Sequence, residues 1–252
     1  MRPAVYLFGL AAIGTGIVDL VWGAFDTDHQ PLQAWGDHVP GSHLFAYIVG
    51  VLLVAGGVAV FSERSRRFGA SVLAVIYLVF AIFWLPRLYT APHFLGQYPR
   101  VYIGVLAGIC SNIIVVCAAM IVSGSATTAT RWIFGLCTII FGLQHWTNLN
   151  GPNNIEMVPA WMPFGQIFWV GLTGTAFILA GIAILIRIAD VLAARLLALM
   201  FFVFSVVTLI PGLIAFPREE VNWGGNIYEF IAVASAWILA DWLVARREHM
   251  QQ

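Results

Sequence analysis

The sequence predicts an all-α, polytopic membrane protein with eight transmembrane helices, arranged as two parallel four-helix repeats. Hydrophobic residues occupy 61% of its 252 positions and charged residues only 10%, too few to cover the surface of a soluble domain of this size. The apolar residues occur in runs of about 20, the length that a helix needs to cross a bilayer. A Ser/Thr-rich segment, residues 123–130, divides the chain near its midpoint.

Polar or proline-containing segments separate the eight predicted spans. The spans cover, in order, residues 3–25, 43–61, 69–89, 101–122, 131–149, 164–186, 190–214 and 224–245. The first apolar run continues through Phe25 without a small-residue cleavage site, so we interpret it as a retained span and not as a signal peptide. We expect a proline-containing loop at 87–100 and a polar outer loop after the first span.

The arginines indicate the orientation of the spans, because short cytoplasmic loops carry an excess of basic residues. All twelve basic residues are arginine. With the N-terminus inside, the cytoplasmic side holds nine of them: Arg2, Arg64, Arg66, Arg67, Arg131, Arg187, Arg195, Arg246 and Arg247. We therefore expect a multi-pass protein of the cell inner membrane with both termini in the cytoplasm.

The two halves of the chain predict an internal duplication. A shift of 124 residues places Gly50 on Gly174, Gly57 on Gly181 and Trp22 on Trp146. The lengths of the spans and the proline positions also correspond. Because four spans per half is an even number, the halves have the same orientation. The predicted units are a first repeat at 1–122, a linker at 123–130 and a second repeat at 131–252.

Three ionisable residues lie well inside predicted spans, where a charge is costly and often functional. Asp19, His145 and Glu229 all fall in the outer half of the membrane. Together they suggest an outward-facing polar pocket in which two carboxylates and an imidazole relay protons. The alternative is that each residue only satisfies a neighbouring helix, for example Asp19 paired with Arg87 or Arg100.

Residues near these three are candidates to contact a substrate. Gln144 and Asn148 flank His145, and the tryptophans near it could stack on a quinone ring. The tryptophans at span ends equally fit the aromatic belts of a membrane interface. The predicted substrate-binding residues are Gln144, Trp146, Asn148, Trp161, Arg87 and Arg100.

Metal and haem sites are not predicted. The first outer loop holds Asp26, Asp28, His29, Asp37, His38 and His43, which are suitable metal ligands, but their spacing matches no established site. A haem between helices needs two buried axial ligands, and only His145 qualifies clearly. The three cysteines form no Cys-x-x-Cys pair, and no basic patch indicates nucleic acid.

Three motifs stand out in the segment 131–216: Gly142-Leu143-Gln144-His145-Trp146, Val158-Pro159-Ala160-Trp161-Met162-Pro163 and Leu172-Thr173-Gly174. With these motifs the segment resembles the DoxX family of small bacterial membrane proteins. The family pattern is a unit of four spans, so the chain resembles two fused units. The first half has Val21-Trp22 where the second has His145-Trp146.

The resemblance implies a membrane component of a quinone-linked redox process, since some DoxX-like proteins are linked to respiratory quinone chemistry. A quinone would then be the ligand, with no other cofactor evident, and a membrane or soluble redox protein would be the partner. Two alternatives remain open: a non-catalytic carrier or binding protein for a small solute or lipid, and a membrane anchor for a soluble partner. Whether the chain is an enzyme is left undecided.

Overall fold

The structure, a computed structural model, describes residues 2–26, 28–31, 40–151, 154–155 and 157–250, with only the backbone of Arg2, His249 and Met250. This part of the chain is all-helical and contains no strand. Its nine helices are α1 (Arg2–Trp22), α2 (Ser42–Phe61), α3 (Arg66–Trp84), α4 (Arg87–Leu95), α5 (Pro99–Ser123), α6 (Thr128–Thr147), α7 (Gln166–Ile186), α8 (Asp190–Ala215) and α9 (Glu220–Met250).

Seven of these helices are long and apolar enough to cross a membrane, which supports the predicted helical membrane protein. They are α1, α2, α3, α5, α7, α8 and α9. The fifth predicted span coincides with α6, which has 20 residues but includes Arg131, Gln144 and His145, so it is less apolar than the others.

The largest departure from the sequence prediction is α4, a nine-residue helix inside the segment expected to be a loop. The predicted third span ends five residues early, at Trp84, and Pro86 then caps α4. Proline fits a helix start because its fixed φ is already helical and its missing N–H is not needed there. The linker is also shorter than predicted, because Thr127 and Thr130 form a capping box that starts α6.

A π-helical turn, Ser205–Leu209, interrupts α8 just before Pro211. Proline donates no backbone hydrogen bond and its ring crowds the preceding turn, so the helix must loosen locally. Such turns often accompany functional sites. Here the wide turn places Val207 and Thr208 beside a cavity that is described below.

Two antiparallel helix pairs are held together by glycines. In the pair α1–α2, a Cβ atom on Gly16 would lie 2.5 Å from the carbonyl oxygen of Gly50, and one on Gly57 would lie 2.6 Å from that of Gly9. Real Cβ atoms do not approach so closely, so only glycine permits this backbone contact. Small residues are a common means of association between helices in a membrane.

The pair α6–α7 repeats the same arrangement. A Cβ atom on Gly142 would lie 2.5 Å from the carbonyl oxygen of Gly174, and one on Gly181 would lie 2.6 Å from that of Gly135. In each of the four helices the two glycines are seven residues apart, which places them on one face. The helices α5 and α9 connect the two pairs: α1 packs on α9, α9 packs on α5, and α5 packs on α6.

These contacts predict which glycines tolerate a methyl group. We expect Gly16→Ala and Gly142→Ala each to lower the Tm in detergent by roughly 3–10 °C, since overpacking costs about 1–3 kcal/mol. The measurement is thermal unfolding followed by intrinsic tryptophan fluorescence.

Gly104→Ala and Gly225→Ala are the matched controls, because a Cβ at either helical position meets no described atom within 4 Å. Both should leave the Tm unchanged or raise it. Equal losses at all four positions would show that the α1–α2 and α6–α7 contacts are not closely packed.

Candidate functional site

His145 lies in the last turn of α6, where it faces aromatic residues. Its Nδ1 is 2.9 Å from the carbonyl oxygen of Phe141, one turn earlier, and this contact requires a proton on Nδ1. The ring lies 5.3 Å from that of Phe177 on α7 and 6.5 Å from that of Phe204 on α8, centroid to centroid. The Nε2 atom has no hydrogen-bond partner among the described residues and is left as an acceptor.

A cavity of about 320 Å³ opens beside His145, and we call it the His145 cavity. This volume is at the lower end of the range for small-molecule sites. The lining is almost entirely apolar. It consists of His145, Asn154, Met157, Val158, Met162, Trp169, Val170, Thr173, Leu196, Leu199, Met200, Val203, Phe204, Val207 and Thr208.

The polar atoms of the His145 cavity are mainly free to accept hydrogen bonds. The hydroxyls of Thr173 and Thr208 donate to carbonyl oxygens of their own helices, 2.8 Å and 2.6 Å away. The indole N–H of Trp169 donates to Pro163, and the amide of Asn154 donates to Asn148. An apolar ligand with its own hydrogen-bond donor therefore fits this lining best.

The residues predicted to accompany His145 lie around the cavity but not in its described lining. Gln144 donates to the side chain of Asn154 over 3.2 Å and so positions a lining residue. Asn148 is the C-cap residue that follows α6, and its carbonyl oxygen accepts a bond from Asn154. Trp146 and Trp161 are exposed, Trp161 by 75%, as expected for an interfacial belt.

Sequence reasoning missed most of the cavity lining. Met157, Met162, Trp169, Met200 and Phe204 come from the loop after α6 and from two other helices. Methionine and aromatic residues in apolar segments are usually core residues, so these residue types did not indicate a cavity. The only hint was the Pro-Ala-Trp-Met-Pro loop, which contributes Met162.

Asp19 belongs to a second site, which we call the buried polar cluster: Asp19, Asp26, His29, Gln30, Asn112 and Glu229. Asp19 is fully buried in α1, and its Oδ2 accepts a 2.9 Å hydrogen bond from the Gln30 amide. The Gln30 Oε1 accepts a 2.9 Å bond from the backbone N–H of Asp26. The segment after α1 therefore folds back into the helix bundle.

His29 is the centre of the buried polar cluster. Its Nδ1 lies 2.5 Å from Asp26 Oδ2, and its ring stacks on Tyr228 of α9 at 3.8 Å between centroids. Its backbone carbonyl accepts a 3.0 Å bond from Asn112 of α5. The sequence predicts that His29 lies in a polar outer loop, whereas in the structure it packs between α5 and α9.

The surroundings of the Asp26–His29 pair favour the charged form of both side chains. Burial disfavours the charged Asp26 carboxylate, but the neighbouring His29 and two backbone N–H groups outweigh burial and lower the pKa of Asp26. Burial likewise disfavours the imidazolium, but the Asp26 carboxylate outweighs it and raises the pKa of His29. Asp28 and Glu229 act on His29 in the same direction.

Several oxygens near the cluster have no hydrogen-bond donor among the described residues. They are Asp19 Oδ1, Asn112 Oδ1, Glu220 Oε1 and Glu229 Oε2, all shielded from solvent. Buried acceptors normally have a donor, so each of these oxygens can accept a hydrogen bond from a water molecule, and the three carboxylates can also take a proton. The cluster is thus equipped to hold protons between α1, α5 and α9.

The two arginines predicted to bind a substrate have different surroundings. Arg87 is buried, lies 4.0 Å above the Trp84 ring and donates to the carbonyl oxygen of Pro31 over 3.4 Å. It therefore helps to hold the end of the folded-back segment. Arg100 is exposed and lies 5.0 Å from the Tyr98 ring.

No set of three or more His, Cys, Asp or Glu side chains is arranged to hold a metal ion in the part of the chain that the structure describes. Two of the candidate ligands in the first outer loop, Asp37 and His38, lie outside the described residues. Of the others, Asp26 and His29 pair with each other, and His43 Nδ1 lies 2.5 Å from the carbonyl oxygen of Gly23.

The His145 cavity and the buried polar cluster are distinct sites at the same end of the helices. The sequence predicts one polar pocket with His145, Asp19 and Glu229, but the described lining of the cavity includes neither carboxylate. A buried 2.8 Å hydrogen bond from Ser205 to Asn226 lies between the sites. Ser205 follows Phe204 of the cavity, and Asn226 lies one turn before Glu229 on α9.

Comparisons with known proteins do not show which family the chain belongs to. The chain matches no family model, and neither the curated proteins nor the solved structures contain a significant match. What the two sites can do is therefore inferred from their own residues: the lining of the His145 cavity suits an apolar ligand that donates a hydrogen bond, and the buried polar cluster contains carboxylates with unpartnered oxygens.

The charged pair predicts a pH-dependent effect of His29. Because the pKa of His29 is raised, the stability from its protonation is fully present below the unfolded pKa, about 6.5, and is lost as the pH rises through the folded value. Because the pKa of Asp26 is lowered, its contribution is present above about 3.9 and is lost on acidification. We expect His29→Gln to lower the Tm by roughly 5 °C or more at pH 6 and by less at pH 9.

Thermal unfolding in detergent at both pH values is the measurement. The control is His93→Gln, which changes an exposed histidine of α4 and should have little effect at either pH. A loss for His29→Gln that is the same at pH 6 and pH 9 would contradict the charged pair.

Proposed function

We propose that the protein is a DoxX-like component of a quinone-linked redox process that binds a quinol in the His145 cavity. One observation carries the proposal: an apolar cavity of about 320 Å³ contains an imidazole whose Nε2 is free to accept a proton. A quinol headgroup is apolar and aromatic and has hydroxyl donors, which matches this lining. Phe204 and Trp169 supply aromatic surface for it.

The position of the cavity fits a ligand that arrives from the bilayer. Leu196, Leu199 and Val203 line the cavity and are also exposed on the outside of α8. In a membrane this surface would face lipid, so a hydrophobic molecule could enter sideways. A water-soluble substrate would gain little from such an opening.

A bound quinol would supply two protons and two electrons on oxidation. His145 accepts the hydroxyl proton at Nε2, because its Nδ1 proton is held by the carbonyl oxygen of Phe141. The unpartnered oxygens of Asp19 and Glu229 can take up protons at the same end of the bundle. The electrons require a redox partner protein, in the membrane or soluble.

We also propose that α6 crosses the membrane, which gives eight spans in two parallel repeats. Two facts support this: α6 packs along α7, and glycines join α6–α7 as they join α1–α2. The glycines of α2 and α7 correspond at a shift of 124 residues, whereas those of α1 and α6 correspond at 126. The four-span unit is also the family pattern that the second half resembles.

The shift of 126 changes which residues of the two repeats correspond. It places Asp19, not Val21, on His145. A Cβ on Gly50 would meet the Cβ of Asp19 at 3.2 Å, just as one on Gly174 would meet that of His145 at 2.8 Å. The two repeats would thus have a carboxylate and an imidazole at one shared position.

The orientation is part of the same proposal. Nine arginines lie on one side of the predicted membrane, and only Arg87, Arg100 and Arg218 lie on the other. This distribution supports cytoplasmic termini in a bacterial inner membrane. The His145 cavity and the buried polar cluster would then face outward.

A carrier or binding protein for a lipid is the second candidate. The opening of the cavity between exposed leucines favours it, because it requires only an apolar ligand and no electron acceptor. The two candidates differ in whether the ligand is redox-active.

The ligand can be identified by extraction. We expect the protein, purified in mild detergent, to yield a quinone in solvent extracts, detected by its ultraviolet spectrum and its mass. His145→Leu should reduce the retained quinone about tenfold, since an unpaired buried donor costs about 1–3 kcal/mol. His93→Leu, at an exposed site, should retain it. A redox-inactive lipid in place of quinone would support the carrier instead.

The orientation can be tested with single cysteines in a cysteine-free background. Gln97→Cys lies in the exposed turn between α4 and α5, and Ser62→Cys lies in the exposed turn between α2 and α3. An impermeant maleimide should label the first in intact cells and the second only after lysis. The reverse pattern would overturn the orientation, and labelling of both would overturn the span count.

A further inference from the structure

A second cavity, of about 390 Å³, lies at the opposite end of the helices from His145 and Asp19. We call it the arginine cavity. The first turn of α6, the connection from α7 to α8 and the end of α9 form it. Its lining consists of Arg131, Arg187, Asp190, Trp242, Leu243, Arg246 and Arg247.

The lining has a strong excess of positive charge. It contains four guanidinium groups and one carboxylate, Asp190. That carboxylate is already engaged, because Asp190 Oδ1 accepts bonds from the Arg247 guanidinium and from the backbone N–H of Val191, 2.8 Å away. One carboxylate cannot balance four guanidinium groups, so Arg131, Arg187 and Arg246 leave a net positive charge in the lining.

Arg131 is the least usual of the three because it is only 4% exposed. No described residue accepts a hydrogen bond from it, although it interacts electrostatically with Asp190. An arginine in such a position is stabilised when an anion binds its five N–H donors. Its planar guanidinium suits the two oxygens of a phosphate group.

The connection from α7 to α8 makes a tight turn beside this cavity. Arg187 and Ala189 have left-handed backbone conformations, with φ values of 65° and 53°. For residues other than glycine this conformation costs roughly 1 kcal/mol or more each. The tight turn places Arg187 beside the cavity together with Asp190.

Exposed apolar side chains surround the cavity. Ile186 and Ile188 flank Arg187, Trp132 follows Arg131, and all three are more than half exposed. A free inorganic anion would make no use of such a surface, whereas the acyl chains of a lipid would cover it. Tryptophan is also a typical residue of membrane interfaces.

We propose that the arginine cavity binds the phosphate-bearing headgroup of an anionic phospholipid. Arg131, Arg187 and Arg246 contact the phosphate oxygens, and Trp242 holds Arg246 by a cation–π contact at 4.8 Å. Basic cavities between helices near a membrane surface are suited to such headgroups. This site does not depend on the ligand of the His145 cavity.

The test compares lipids with a free anion. The detergent-purified protein is titrated with phosphatidylglycerol, cardiolipin, phosphatidylcholine and inorganic phosphate, and binding is measured by native mass spectrometry and by the Tm. We expect the two anionic lipids to bind and to raise the Tm, with phosphatidylcholine and inorganic phosphate inert. Each arginine near an anionic surface contributes roughly fivefold in affinity, so Arg131→Gln with Arg246→Gln should weaken binding about 25-fold.

Two further double variants complete the test. Arg187→Gln with Arg246→Gln changes only exposed residues, so it tests the site even if the loss of Arg131 prevents folding. Arg64→Gln with Arg67→Gln removes the same charge from two exposed residues at the start of α3 and in the turn before it, and should leave lipid binding unchanged. Equal losses in this control, or a response to inorganic phosphate that matches that to phosphatidylglycerol, would overturn the proposal.

Discussion

Direct contact between glycine backbones determines how this bundle is built. Helices in a lipid environment gain little from the hydrophobic effect when they associate, so close packing must supply the attraction. The contact between Gly16 and Gly50 brings α1 closer to α2 than any side chain would allow. The contact between Gly142 and Gly174 does the same for α6 and α7. Asp19 and His145 each lie one turn beyond such a contact, so their positions follow from it. The two helix pairs thus use the same contact to place a carboxylate and an imidazole.

The surroundings of these two side chains differ because different segments cover them. The segment after α1 folds back, and Gln30 and His29 bring hydrogen bonds to Asp19, Asp26 and Asn112. Such a segment is tolerated inside a membrane protein only where its polar groups find partners. The loop after α6 instead supplies Met157 and Met162 and leaves an apolar cavity beside His145. A cluster of buried ionisable groups and a hydrophobic cavity therefore lie at one end of the same bundle.

The opposite end of the bundle contains a cavity lined mainly by arginine. Four of these residues surround one cavity, and their charge exceeds that of Asp190. Such an excess is costly inside a low-dielectric region but favourable beside an anionic membrane surface. Carboxylates at one end and guanidinium groups at the other give the helices opposite chemistry at their two ends. The same distribution of charge underlies the orientation that we propose.

The sequence by itself determined that the protein is a helical membrane protein and determined roughly where its helices lie. A membrane helix satisfies its own backbone hydrogen bonds, so apolar runs of about 20 residues locate it without any knowledge of its neighbours. Only the tertiary structure determined which residues come together in each site. In a chain this apolar, both lipid-facing and buried faces are hydrophobic, so hydropathy does not show which side of α7 or α8 lines a cavity. Only the folded chain brings His29 between α5 and α9 and separates His145 from Asp19 and Glu229, because these contacts join residues far apart in sequence.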